Sequence, residues 1–177
     1  MKTGLSWLKA FSIGKKGQIF SVDAIAAVSV FLFILLITIS YSTEVSNKIS
    51  EVETDNSRYD AALAAANSIV YSYGEPSNWE NLQLSGVSAI GLAKSRNEID
   101  NAKLMRLADL NAANYNEVKE ILGLEKYGLK IDVEELQNGQ GIAEFGVEPE
   151  SESKVSVVRR IAVHENENVL VIVKVFE

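Results

Sequence analysis

The sequence predicts an α+β chain: a long N-terminal helix, transmembrane in one half and amphipathic in the other, packed on a C-terminal domain of short helices and an antiparallel β-sheet. Three observations carry that expectation. Residues 24–43 hold no charged residue, and roughly 20 apolar residues are what a helix needs to cross a hydrocarbon core about 30 Å thick. Neither proline nor glycine occurs from Gln18 to Tyr73. Helical apolar spacing comes first in the chain, and the two-residue alternation of strands comes last.

The N-terminal leader is basic. Residues 1–23 carry Lys2, Lys9, Lys15 and Lys16 against Asp23 alone, whereas residues 44–177 carry 13 Lys and Arg against 23 Asp and Glu, within a net charge of −7. Lysines before the span, with Glu44, Glu51, Glu53 and Asp55 after it, place the N-terminus inside and the C-terminal bulk outside. An acidic domain is a poor partner for nucleic acid. There is no cysteine, which excludes disulfide, zinc-thiolate and thiol chemistry. A buried helix of a soluble protein is the competing account of residues 24–43, but such a helix is normally shorter and polar on one face.

Lys15-Lys16-Gly17-Gln18 directly precedes the apolar run, followed by Ile19-Phe20-Ser21-Val22-Asp23. This arrangement resembles the class III signal peptide of archaeal type IV pilin-like proteins. The resemblance covers residues 15–43 and, more loosely, the helix beyond. It implies a pilin-like fold and cleavage by a prepilin peptidase after Gly17, leaving Gln18 as the mature N-terminus and the apolar segment in place. It also implies that Asp23 takes the family's acidic position and meets the freed Gln18 amine of a neighbouring subunit. Here Asp23 is the sixth mature residue and Val22 the fifth, where the family usually has its acid. That offset rotates the carboxylate by about 100° around a helix. The local alternative for Asp23 is an acid in the first helical turn, favoured by free N–H groups and the helix dipole. For Lys15 and Lys16 it is the basic flank that any inside end requires.

Beyond the span, Val45, Ile49, Val52, Asn56, Tyr59, Leu63, Ala66 and Val70 follow alternating steps of four and three, a heptad stripe. Gly74 and Pro76 then end the helix. The expectation is one helix from about residue 19 to about 72, on the order of 80 Å long. Its small Ala61–Ala66 segment permits close approach of a domain or of another helix.

The C-terminal domain reads as an irregular stretch over 77–96, with a short strand or turn in 86–91, then a helix over Asn97–Leu110. A shorter helix, capped by Asn114 or Asn116, ends at Gly123. Strands follow at Leu129–Leu136, Ile142–Val147, Lys154–His164 and Val169–Phe176, the last two joined by a Glu165–Asn168 turn. A sheet of three or four strands packed on the long helix is predicted.

Catalytic candidates are thin, and neither a cofactor nor a metal site is predicted. His164 is the only histidine and has no nucleophile motif beside it. Phosphate-loop spacing is absent. Asp132, Glu134 and Glu135 read as a solvated strand face. Arg159 and Arg160 point to opposite faces of a strand, and solvent exposure is the plainer expectation for them than an ion pair with a neighbouring subunit's acid. Trp79, Tyr71 and Tyr73 are expected to pack the helix terminus.

Three segments result: a leader over 1–17, a continuous helix over 18–73 with the span at about 24–43, and an extracytoplasmic head over 74–177. The leading expectation, by resemblance, is a non-enzymatic subunit of a surface filament used in adhesion. Its partners are copies of itself, the prepilin peptidase, the assembly machinery, and membrane lipid before assembly. The alternatives are a single-pass anchored binding module that never polymerises and, more remotely, a tethered hydrolase.

Overall fold

The computed structural model describes residues 16–110 and 113–177, with side chains from residue 22 onward. The chain separates into two compact units, Met1–Ser50 and Glu51–Glu177. Helix α1 (Lys16–Tyr71) begins in the first unit and ends in the second, as the absence of Gly and Pro after residue 17 predicts. In the first unit its apolar side chains are exposed, from Val22 through Tyr41. From Val22 on, the helix is long and apolar enough to cross a membrane. Ser29, Thr38 and Thr43 donate to the carbonyls of Ile25, Ile34 and Ile39, four residues back. Their hydroxyls therefore add no unpaired polar group to that apolar surface.

In the second unit, the α1 residues from Glu51 onward pack on a six-stranded sheet. Two 3-10 turns (Trp79–Asn81 and Leu84–Gly86) follow α1, then β1 (Ala93–Ser95), β2 (Glu98–Ile99), α2 (Asn101–Asp109), α3 (Tyr115–Ile121), β3 (Gly128–Glu135), β4 (Gly141–Gly146), β5 (Val155–His164) and β6 (Glu167–Phe176). The strand order is β1-β2-β5-β6-β3-β4. Every pair is antiparallel except β2–β5, which meets at one parallel register point. Two strands more than predicted are present, because β1 and β2 are too short to show alternation. The predicted helix from Asn97 starts later for a local reason. Asn97 takes a left-handed φ of 62° in the β1–β2 turn, and the Asp100 carboxylate then caps α2, accepting from Ala102 N at 2.8 Å. The β5–β6 hairpin is tighter than the predicted four-residue turn. Glu165 and Asn166 both hold positive φ, at 49° and 70°, the pattern of a two-residue primed turn.

Alternation decides what each strand face does. Val158, Ala162, Val169, Val171, Val173, Val175, Leu129, Ile131, Val133 and Phe145 are buried on one face. α1 covers the β5 side of it. The Arg58 guanidinium donates to Ser156 Oγ at 3.2 Å, and Asn67 Oδ1 accepts from Arg160 at 3.2 Å. α2 covers the β3–β4 side, with Leu104 and Leu107 against Ile131, Val133 and Phe145.

The buried face of α1 shares only Ala66 and Val70 with the predicted stripe. Arg58, Ala62, Ala65, Ala66, Ile69 and Val70 are buried, while Ile49, Val52, Asn56 and Tyr59 are exposed and Leu63 is half-buried. Apart from Ala66, the heptad pattern overlooks the small residues of this segment. Alanines let the helix approach the strands closely, so the sheet selects the alanine side and leaves the bulky residues on a flank.

Candidate functional site

The residues singled out from the leader fall at the start of α1. Lys15 lies outside the described residues; Lys16, Gly17 and Gln18 form the first turn of α1, and their side chains lie outside the description. Asp23 is exposed on the helix and forms no ion pair among the described residues. The uncovered apolar side chains from Val22 to Tyr41, not this carboxylate, make the first unit a surface that water solvates poorly.

The end of α1 is locked from the other side. Gly91 passes so close to the helix that a Cβ there would lie 2.1 Å from Ser72 O. Trp79 is fully buried, and its Nε1 donates to Gly91 O at 2.8 Å. Lys103, 5% exposed, donates from Nζ to Tyr73 O at 2.8 Å and to Ala93 O at 3.3 Å. Trp79 thus packs the helix terminus as expected, whereas Tyr71 and Tyr73 stay half exposed.

His164 is buried, with Nε2 3.2 Å from Asn101 Oδ1, joining the end of β5 to the first turn of α2. Among the described residues, no group of three His, Asp or Glu side chains is placed to hold a metal ion. Arg159 and Arg160 lie on opposite sheet faces, Arg159 exposed and Arg160 on Asn67.

The sheet face away from α1 carries what sequence reasoning missed. Lys130 Nζ lies 2.6 Å from Glu144, 3.4 Å from Glu148 and 3.6 Å from Asp132. Lys174 Nζ lies 2.9 Å from Asp132 and 3.6 Å from Glu148. Burial works against the Lys130 charge, but the Glu144 hydrogen bond and the Asp132 and Glu144 carboxylates outweigh it and hold its pKa above the ordinary value. The hydrogen bond to Asp132 does the same for Lys174. Asp132 is therefore an ion-pair partner rather than a freely solvated acid. The signal lay in like-facing alternate positions on strands whose pairing the sequence does not reveal. Beside this network, Val155, Val157 and Ile161 of β5 are 37%, 37% and 57% exposed.

No protein-family model matches the chain, and no curated protein or solved structure is similar enough to it to count as a match.

Proposed function

We propose that this chain is the structural subunit of a type IV pilus-like surface filament with a role in adhesion. It enters the membrane as a prepilin with its lysines inside, is cut by a prepilin peptidase after Gly17, and assembles through its apolar N-terminal helix. The observation that carries this reading is the division of α1. Its residues from Val22 to Tyr41 form an uncovered apolar surface, while its last turns are built into a folded domain. A helix of that kind exchanges lipid for copies of itself, with van der Waals packing as the gain. Asp23 and the Gln18 amine are the polar groups that such packing brings together, since a carboxylate among apolar helices needs a partner.

Intact mass and N-terminal sequencing of protein recovered from its native membrane or surface fraction test the proposal. A chain beginning at Gln18 is the expected result. One beginning at Met1 sinks it in favour of an anchored, non-polymerising binding module, and one cut beyond Thr43 makes the domain a secreted one.

A further inference from the structure

The sheet ends on two open edges that complement each other. β2 covers only the His164 end of β5: Glu98 registers with Val163, and Val163 N donates to Asn97 O at 2.7 Å. That bond turns the Val163 N–H away from β6. Backbone direction alternates along a strand, so Val155, Val157, Arg159 and Ile161 also aim their N–H and C=O groups outward. Among the described residues no strand pairs with them there, and β5 has neither proline nor bulge to blunt the edge. Among the described residues, the Arg159 guanidinium sits in this row of exposed apolar side chains without an acidic partner. At the far end of the sheet, the strand paired with β4 among the described residues is β3, and a bulge at Ile142 interrupts that pairing. Its Glu144 side chain is 69% exposed and gives Oε2 to Lys130, leaving Oε1 for a second cation.

Both edges carry these residues in one row. Arg159 registers with Ile172, Ile172 with Asp132, and Asp132 with Glu144. A second copy displaced sideways, with no slip along the strands, therefore brings its Glu144 beside Arg159. The same displacement sets its Gly141 beside Ile161, a row shared through Leu170–Glu134 on the far side of the β4 bulge at Ile142. A glycine opposite the β-branched Ile161 leaves room for the joint.

Strand direction agrees. α1 runs along β5 in the same sense, with Glu51 at Lys154, Arg58 at Ser156 and Asn67 at Arg160. Three antiparallel steps make β4 run opposite to β5. Copies whose α1 helices point the same way thus present β4 to β5 antiparallel, whereas antiparallel β5–β5 pairing requires opposed helices.

We infer that the β5 edge of one copy takes the β4 edge of the next, extending the sheet from subunit to subunit with an Arg159–Glu144 ion pair in the joint. The common helix direction rests on the filament reading; the match of the edges does not. The contact is heterologous, so it propagates rather than closing on a dimer.

The chain has no cysteine, so an Ile161→Cys, Gly141→Cys double variant of the full chain, oxidised in its native membrane, reads the contact directly. Within one chain these positions are three strand spacings apart, about 14 Å, beyond disulfide reach, so every bond formed joins two copies. A ladder of dimers, trimers and higher species is expected from the double variant and none from either single variant. Adding Arg159→Glu should reduce the ladder at least about fivefold, since like charges then face each other. Adding Val157→Pro, which removes an outward donor and leaves the β6 ladder intact, should reduce it as well. An absent ladder, a linked dimer from Ile161→Cys alone, or a ladder indifferent to Arg159→Glu overturns the inference. N-terminal sequencing of the same sample separates the two readings. A chain starting at Gln18 without a ladder removes this contact and keeps the filament, while Met1 with a ladder does the reverse.

Discussion

Lys103 shows how a single side chain can close a domain. Its ammonium is buried and takes backbone carbonyls rather than carboxylates as partners, at Tyr73 and Ala93, so it ties the residues after α1 to β1. Replacing it by methionine keeps the stem but strands both carbonyls. Lys103→Met should cost about 2 kcal/mol in denaturant-unfolding free energy. Arg58 does similar work nearer the other end of the domain, reaching Asp55 at 2.8 Å, Ser156 at 3.2 Å and Glu177 at 3.6 Å from a buried position. Arg58→Ala removes the donor to Ser156 Oγ and leaves only solvent-exposed acids behind, so a loss of about 1–2 kcal/mol is expected in the same measurement. Glycine 91 is constrained by space alone. Its absent side chain admits the Ser72 carbonyl, so Gly91→Ala must push the segment off α1 and should lower the melting temperature by several degrees or more.

At the scale of elements, the alanines of α1 set the distance between helix and sheet. Ala62, Ala65 and Ala66 are at most 1% exposed, and Ala65→Leu should destabilise the domain by about 1–3 kcal/mol through overpacking. Exposed Tyr59→Leu, on the flank, should leave the unfolding midpoint almost unchanged. Equal effects of the two substitutions would mean that the predicted heptad stripe, rather than the alanine side, meets the sheet. The Lys130–Lys174 network on the other sheet face makes a pH prediction. Both lysines have folded-state pKa values raised above 10.5 by neighbouring carboxylates. Their stabilisation is therefore complete below about pH 10.5 and declines as pH rises through the raised values. Urea midpoints taken from pH 9 upward should fall faster for the natural chain than for Lys130→Met, which lacks the larger part of the network.

The whole molecule divides into an apolar helical unit and a domain with its own core. A chain starting at Glu51 should fold with the melting behaviour of the intact domain and stay in the aqueous phase on detergent partition, whereas the full chain should enter the detergent phase. Residues 24–43 announced the apolar helix of the first unit without any fold, because the capacity to cross a membrane depends on summed hydrophobicity, which is additive along a chain. Strands β3 to β6 were legible for a related reason, since alternation is local. The boundaries of α2, the two-residue strand β2 and the tight β5–β6 turn were not, because capping and left-handed residues decide them within a span of two or three positions. Three things were decided by tertiary structure alone: which face of α1 is buried, how Lys130, Asp132, Glu144 and Lys174 come together, and which edges of the sheet stay open. Each depends on strand order and register between residues far apart in sequence. Those pairings follow from how closely small side chains let the layers approach, and periodicity along one segment does not contain that distance.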